Sequence, residues 1–378
     1  MIIKVGIDAR ILSNKLTGIG RYTLKICTEL LKIKGVSLYL YSPAPLLEQY
    51  VCDLNGAIIQ TGNIRSSILQ QLWGETYLPL WADKDGVDIF WGPAHRLPRM
   101  LTKRIAKVVT IHDLVWKYSS ASMRPLSYMS ERLQMPFAIG SADCVAVVSE
   151  STSKAVNDEF CVDSERMVVI PPGVDLIEKV GSFSSLQEIG INSPYFLFVG
   201  TIEPRKNLVN LLSAYASIPT HIKKQSQLII AGGNGWGRID LKNEINHLNI
   251  SEYVRLLGYV DELTLTTLYA NAQFLAMPSL YEGFGIPLIE AMIHNVPVLT
   301  STNSSMPEVA GDAGVLVDAN SIESITKGLI KLITNVELRM ILAENAKSNA
   351  MQFNWGRSTE QLMAVFKSVV KSKGNDSL

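Results

Sequence analysis

The chain has 378 residues, 47% hydrophobic and 19% charged, and its 35 Lys plus Arg balance its 35 Asp plus Glu. This is a globular composition with room for two domains, each with its own core, and it excludes a disordered chain. A net charge of zero gives no overall electrostatic footprint for nucleic acid. The four cysteines, Cys27, Cys52, Cys144 and Cys161, form no CxxC pair, so neither a disulfide framework nor a zinc site is expected. The first residues lead straight into a strand pattern, and no apolar run approaches 18 residues. Neither a secretory leader nor a membrane span is expected, and a cytoplasmic protein is the default.

In chain order, short β-branched and aromatic runs predict strands at 2–8, 36–41, 87–91, 106–112, 144–149 and 167–170. Between the first two, Tyr22, Ile26, Leu30 and Ile33 recur on one face and predict an amphipathic helix. After PPGVD, at 171–175, the pattern lapses through GSFSSLQEIGINSP, which is turn and linker chemistry. A second series of strands is expected at 195–200, 227–231, 254–258, 273–277, 296–300 and 314–317. Strands alternating with helical stretches point to an α/β fold with parallel sheets, here as two open sheets. Ligands of such sheets bind beyond the carboxyl ends of strands, so the residues just after each strand are the ones to inspect.

LTGIGRYT, at 16–23, has half the look of a dinucleotide fingerprint and fails the rest of it. The third glycine is replaced by Thr23, residues 9–17 separate it from the strand, and no acid closes the second strand at YLYSPAP. Gly18 and Gly20 still open a helix whose free N–H groups and positive dipole end suit an anion. The plainer alternative is a helix cap.

Three further segments carry chemistry. SLYEGFGIPLIEAM, after the run AQFLAMPS, places Glu282 in a glycine loop and Glu290 about one helical turn in. Pro287 suits a first helical turn, and free N–H groups are expected around residues 284–288. Two carboxylates beside an amide-rich loop fit a polyhydroxyl ligand that also carries phosphate. TIEPRKN follows the run YFLFVG and sets Arg205 and Lys206 side by side, a planar fork and a mobile point charge suited to a diphosphate. VTIHDL brings His112 to a strand's carboxyl end, where it can bond a sugar hydroxyl or steady developing charge. His95 in WGPAHRLP offers a weaker version of the same. Arg96, Arg99, Lys103, Arg104 and Lys107 form a run without an acid, either a solvated face or a patch for anionic lipid head groups.

Together these segments resemble the retaining nucleotide-sugar glycosyltransferases of family 4, across essentially the whole chain. The most specific parts are the E-x7-E pair, Glu282 and Glu290, and GTIEPRKN; TGIGRYT, IHDL, VVSESTSKAV, IPPGVD and SSMPEVAGDAG follow in the family's order. The resemblance implies the GT-B architecture, an α/β fold of two facing Rossmann-like domains with a deep interdomain cleft. Residues 1–180 would form the acceptor domain and 190–355 the donor domain, with a last helix at about 356–378 packing back on the first. It implies that Glu282 contacts the donor hexose, Glu290 the ribose, and Arg205 and Lys206 the diphosphate leaving group. Backbone at Phe284, Gly285 and Ile286 would line sugar and phosphate, and the segment through Val260 would border the base. Gly18 and Gly20 would approach the β-phosphate and His112 the transferred sugar. One departure concerns position 201, where many relatives carry arginine and this chain has Thr201.

GTIEPRKN and GIGRYT look most like the mannosyltransferase-like subgroup of bacterial O-antigen and surface-polysaccharide synthesis. That subgroup implies GDP-mannose as donor substrate, a lipid-linked glycan acceptor, no metal, no cofactor, and a cytoplasmic protein in peripheral contact with the inner membrane surface. A UDP- or other NDP-hexose donor and a nucleotide-sugar epimerase of the same fold are the alternatives. A glycoside hydrolase using Glu282 and Glu290, and a non-catalytic carbohydrate-binding protein, are rivals of other classes.

Overall fold

The structure is a computed structural model describing residues 2–16, 18–175, 180–235, 237 and 239–375. Thr17 of the glycine segment, residues 176–179 beyond PPGVD and residues 376–378 of the expected last helix lie outside the described residues. The chain divides into two compact units. Unit 1 comprises Met1–Leu114, Leu126–Gly173 and Asn354–Leu378; unit 2 comprises Val115–Pro125 and Val174–Phe353.

Among the described residues, unit 1 is built on seven parallel strands: β1 (Ile3–Asp8), β2 (Val36–Ser42), β3 (Ile58–Thr61), β4 (Ile89–Gly92), β5 (Ala106–Ile111), β6 (Cys144–Val147) and β7 (Met167–Val169). Their order is β3-β2-β1-β4-β5-β6-β7. The central strands are apolar on both faces because helices cover both. Val5, Ile7, Ile89, Phe90, Val108 and Ile111 are wholly buried. Each such side chain contributes about 1.5–3 kcal/mol by leaving water. Trp91 is equally buried and satisfies its indole by donating to Thr110 Oγ1 at 2.9 Å. β3 is the one strand that the sequence pattern did not give. It is a four-residue edge with Ile58 half exposed, too short and too open to show alternation.

The amphipathic helix runs over Gly18–Leu31 and buries Tyr22, Ile26 and Leu30, while Ile33 falls beyond its end. A 3-10 turn at Arg10–Ser13 occupies part of the approach from β1. The last helix, Trp355–Asn375, lies on this same unit. Trp355 meets the ring of Tyr22 edge-on at 5.9 Å, and Ser358 Oγ donates to the Pro171 carbonyl at 2.6 Å. Gly173 of IPPGVD is required here, since a Cβ would stand 2.3 Å from the backbone nitrogen of Trp355.

Unit 2 has, among the described residues, six parallel strands: β8 (Tyr195–Val199), β9 (Gln227–Ala231), β10 (Val254–Gly258), β11 (Leu275–Met277), β12 (Val298–Ser301) and β13 (Gly314–Val317). Their order, β10-β9-β8-β11-β12-β13, is the doubly wound arrangement. Its core centres on Phe196 and Phe274, stacked at 4.9 Å. The strand order reverses between β1 and β4 in unit 1 and between β8 and β11 in unit 2. These two switch points are where such sheets take ligands.

Candidate functional site

In unit 2, β8 ends at Val199 and after Gly200 the chain turns through a 3-10 helix, Pro204–Lys206, into the helix Leu208–Ala216. Asn207 makes the corner with φ of 62°, a conformation that asparagine tolerates better than most residues. Its side chain clamps the turn by donating to the carbonyls of Pro278 at 2.9 Å and Ala319 at 2.7 Å. From the neighbouring β11, Leu280 N–H reaches the Arg205 carbonyl at 2.8 Å. The loops after the two central strands are thus tied backbone to backbone.

That tie brings Arg205, Lys206 and Glu282 together. Arg205 Nη1 lies 2.6 Å from Glu282 Oε2, and Lys206 Nζ lies 2.5 Å from Glu282 Oε1. Ser279 Oγ donates to Oε1 at 3.1 Å, and Glu203 takes the other side of the guanidinium at 3.0 Å. Glu282 and Lys206 are both buried. Burial alone pushes the Glu282 carboxyl up, but Arg205 and then Lys206 overcome it and hold the group at about 2. Burial lowers Lys206, with Glu282 acting against that and Arg205 adding to it. A charge survives here only because its opposite is within hydrogen-bond reach.

The glycine loop follows. Gly285 has φ of 104°, a conformation that strains any residue with a side chain, and a Cβ there would also displace the Met306 methyl, 2.4 Å away. Ser305 Oγ donates to the carbonyls of Glu282 and Phe284 at 3.1 and 2.8 Å, which turns those carbonyls inward. The expected stretch of free amides is shorter than the sequence suggested. Pro287 has none and Leu288 N–H is spent on Gly285 at 2.9 Å, which narrows the candidates to Phe284, Gly285 and Ile286. On the helix Ile286–Met292, Glu290 accepts the Tyr269 hydroxyl at 2.8 Å.

Beyond the ends of β8, β9 and β10 lies a cavity of about 470 Å³, lined by Ile202, Gly232, Asn234, Leu257 and Gly258 among others. Gly232 lets its backbone pass Gly200, whose carbonyl oxygen would be 1.9 Å from an added Cβ. Gly258 reaches this cavity wall, whereas Val260, two residues on, is half-buried and not part of it.

In unit 1, His112 follows β5 and is buried. Burial, reinforced by His95, pulls its pKa down to about 3, so the ring is neutral. Its Nε2 lies 2.8 Å from the Pro93 carbonyl, which can only accept; the single proton is therefore on Nε2 and the lone pair on Nδ1. Its main-chain N–H donates to His95 Nε2 at 2.9 Å, and His95 Nδ1 faces Glu131 Oε2 at 3.1 Å. His95 holds φ of 63°, an uncommon conformation for a side-chain-bearing residue. The weaker histidine of the sequence thus anchors the backbone of the stronger one, and Glu131 fixes its tautomer. Tyr22 caps the His112 ring edge-on at 4.9 Å.

Gly18 and Gly20 are the first and third residues of their helix, so their N–H groups belong to its unbonded first turn. Gly20 also serves packing, since a Cβ would come within 2.7 Å of Leu16 Cδ2. The expected basic run does not form one patch. Arg96 turns to Glu131 and Lys107 lies half-buried on β5, leaving Arg99, Lys103 and Arg104 exposed. Ser279, Tyr269, Glu203 and Glu131 were missed by sequence reasoning. Ser279 and Glu203 stand inside quoted motifs and could have been weighed, whereas nothing local marks Tyr269 or Glu131.

Two family profiles match the chain: "Glycosyltransferase Family 4" over residues 16–178 and "Glycosyl transferases group 1" over 185–349. The O-antigen chain mannosyltransferase B of Escherichia coli is 31% identical over 372 residues, covering 93% of this chain and 96% of that protein. Among solved structures, sucrose-phosphate synthase from Thermosynechococcus elongatus has a TM-score of 0.77 at 18% identity, covering 98% of this chain and 100% of that one. WaaG, described as a glycosyltransferase involved in lipopolysaccharide biosynthesis, has a TM-score of 0.74 at 18% identity, covering 97% and 99%. These likenesses show the shared GT-B fold.

Proposed function

The chain belongs to the family 4, group 1 glycosyltransferases, and from that premise we propose that it transfers mannose from GDP-mannose, with retention, to a hydroxyl of a lipid-linked or growing surface-polysaccharide acceptor. The observation that carries this reading is the triad of buried Glu282 and Lys206 with half-buried Arg205 at the switch point of unit 2. Two cations already arranged around an anion suit the reception of a diphosphate. In this reading the diphosphate takes over Arg205 and Lys206, and Glu282 turns to the hydroxyls of the donor hexose. Glu290, steadied by Tyr269, takes the ribose. The amides of Phe284, Gly285 and Ile286 line the phosphate and sugar. Gly18 and Gly20 offer first-turn amides to the β-phosphate, and the Val260 segment takes the base.

The chemical step breaks the bond from the sugar's anomeric carbon to the β-phosphate oxygen. It forms the bond from that carbon to the acceptor oxygen on the same face, and the acceptor proton passes to the departing phosphate oxygen. No carboxylate nucleophile, metal or cofactor is invoked; stabilisation comes from fixed charges and amides aimed at the leaving group. His112, being neutral, acts as a hydrogen-bond acceptor through Nδ1 for a sugar hydroxyl rather than as a cation. The mannosyl and O-antigen assignments draw on what the Escherichia coli relative is called. A panel of GDP, UDP and ADP in a thermal-shift assay tests the donor base. Incubation of GDP-mannose with a polyprenyl-linked glycan, followed by NMR of the new anomeric centre, tests transfer and retention. Stabilisation by UDP alone would move the donor assignment, and an isomerised sugar nucleotide formed without acceptor would replace transferase with epimerase.

A further inference from the structure

Between β5 and β6 the chain makes an excursion: Val115–Pro125 belongs to unit 2, although Leu114 and Leu126 on either side belong to unit 1. Val115 and Trp116 are buried and anchor the segment. It consists of a helical turn, Val115–Tyr118, and a 3-10 turn, Ser120–Ser122. Ser119 N–H donates to the Val115 carbonyl at 2.8 Å, and Ser122 N–H donates to the Ser119 carbonyl at 2.9 Å. The hydroxyls of Ser119 and Ser122 lie 3.0 Å apart. The 3-10 turn packs on Pro204–Lys206, the turn that carries Arg205 and Lys206.

The excursion delivers one aromatic ring to the neighbourhood of Glu282. Tyr118 stacks on Tyr281, with ring centroids 5.3 Å apart and planes 28° from parallel. The backbone around Tyr281 is fixed on both sides. Leu280 N–H donates to the Arg205 carbonyl at 2.8 Å, and Glu282 N–H donates to Ser304 Oγ at 3.0 Å. The Tyr281 carbonyl lies 3.5 Å from Arg205 Nη1. Tyr118 remains 49% exposed even with its ring stacked. The result is a flat aromatic platform, braced by a second ring, one residue away from the buried carboxylate. A pyranose ring matches such a platform, because its C–H groups make an apolar face and its hydroxyls a polar rim that the phenol tips can meet.

We propose that Tyr118 and Tyr281 form a stacking subsite for a pyranose ring of the glycan acceptor. The inference rests on the transferase reading above, in which Glu282 takes the donor hexose. Position decides between occupants. A nucleotide base also stacks on tyrosine. In the sheet order β10-β9-β8-β11, however, Tyr281 follows β11, whereas the cavity roomy enough for a base lies beyond β8, β9 and β10, across the switch point. The donor brings one hexose, and Glu282 already accounts for it. The second ring to be seated beside that carboxylate is the acceptor's, and holding it there aligns its hydroxyl with the reacting carbon. A stack reads the C–H face of a sugar rather than each hydroxyl, so the choice of linkage falls to other contacts.

Saturation-transfer NMR of the full chain with mannobiose, no donor present, reads the contact without any transfer. The ring C–H protons of the disaccharide are expected to take up saturation from the aromatic resonances of the wild type and of Tyr118→Phe, and to lose most of it in Tyr118→Ala. Tyr118→Leu, apolar but without a π face, should fail like Tyr118→Ala. In transfer to a polyprenyl-linked glycan, Tyr118→Ala should raise the KM for acceptor about tenfold, with the KM for donor and the thermal shift with GDP unchanged. Tyr118→Phe should stay close to wild type. A stack that only ties the excursion down would cost thermal stability in Tyr118→Ala and leave acceptor KM and sugar saturation as they were, which overturns the proposal. So does an equal loss in Tyr118→Phe, which assigns the effect to the hydroxyl. A weakened thermal shift with GDP at intact acceptor KM overturns it too, since the ring would then serve the nucleotide. Sugar saturation that depends on Tyr118, without transfer from any nucleotide sugar, would remove the transferase reading and keep the carbohydrate subsite.

Discussion

Around Glu282 two buried side chains and the half-buried Arg205 keep their charges by standing within hydrogen-bond reach of one another, whereas around His112 burial keeps a ring neutral. The first arrangement is costly to hold and strong toward an anion; the second is cheap and suits orientation. A carboxylate in a dry pocket needs its cations within hydrogen-bond reach. A neutral imidazole needs only that its one N–H be spent, here on Pro93, and that its backbone be pinned, here by His95. In the proposed reaction, charge develops on the diphosphate. The contrast therefore assigns leaving-group stabilisation to unit 2 and substrate orientation to unit 1.

The sharpest break of that contrast is Glu282→Ala. It strands Arg205 and Lys206 without their anion, and a destabilisation of about 3–5 kcal/mol is expected in denaturant unfolding. GDP should restore part of that stability, because its phosphates supply the missing negative charge. Lys206→Ala leaves Arg205 on Glu282, so it should unfold less easily than Glu282→Ala yet lose on the order of 10²–10³-fold in kcat. Near wild-type turnover in both variants would remove unit 2 from the leaving-group role.

Acid titration separates the two regions by window. Glu282 ordinarily titrates near 4.5 and is held at about 2 in the fold. Its stabilisation is complete above the ordinary value and is lost as pH falls toward 2. His112 ordinarily titrates near 6.5 and is held at about 3. Below 6.5 the unfolded chain binds a proton that the folded one refuses, so stability falls from there down to about 3. His294, half-buried and lowered by that burial to about 4, adds to the same slope. His95 opposes it: burial lowers its pKa, but Glu131 more than compensates and the net direction is up. Loss of stability between pH 6.5 and 4.5 should therefore shrink in His112→Gln and persist in Glu282→Gln. Unfolding monitored across that range checks it, and identical slopes in both variants would contradict the assignment of windows.

His95→Asn tests the anchoring of His112. Asparagine tolerates the positive φ but is too short to serve as the acceptor for the His112 amide, so a loss of about 1–3 kcal/mol is expected. If anchoring matters to transfer, kcat should fall while the thermal shift with GDP, whose proposed contacts do not include His95 or His112, stays put. The converse outcome would place His95 in the donor site.

Much of this contrast was legible before any fold was known. Arg205, Lys206 and Glu282 announce themselves because charged residues sit just after apolar strand runs, and the doubly wound topology then brings adjacent loops together. The edge strand β3 was not legible, because four partly exposed residues carry no usable alternation. Glu131 was hidden for a different reason. It lies 36 residues from His95, mid-helix in an ordinary polar setting, and only the tertiary packing turns it to the histidine. The stack of Tyr118 on Tyr281 was hidden too, since nothing local marks Tyr118 and only the folded chain brings it to the glycine-loop motif. The basic run did stand out in the sequence, and two of its five members turned out to be half-buried.

Tyr269 gives the smallest and most discriminating effect. Its hydroxyl bonds Glu290 at 2.8 Å, and its ring stacks on His294 at 6.1 Å. Tyr269→Phe keeps the ring and removes that hydrogen bond, so a stability change of about 0.5–1.5 kcal/mol is expected. Glu290 in the proposed reading holds the ribose, which is bound alike before and during transfer. Loss of its steadying partner should therefore raise the KM for the donor several-fold and leave kcat nearly unchanged. Lys206→Ala is expected to do the reverse. If Tyr269→Phe instead lowered kcat with KM intact, Glu290 would have to act on the developing charge. The two carboxylates of the E-x7-E pair would then share a role that the structure, burying one and leaving the other half-exposed, divides between them.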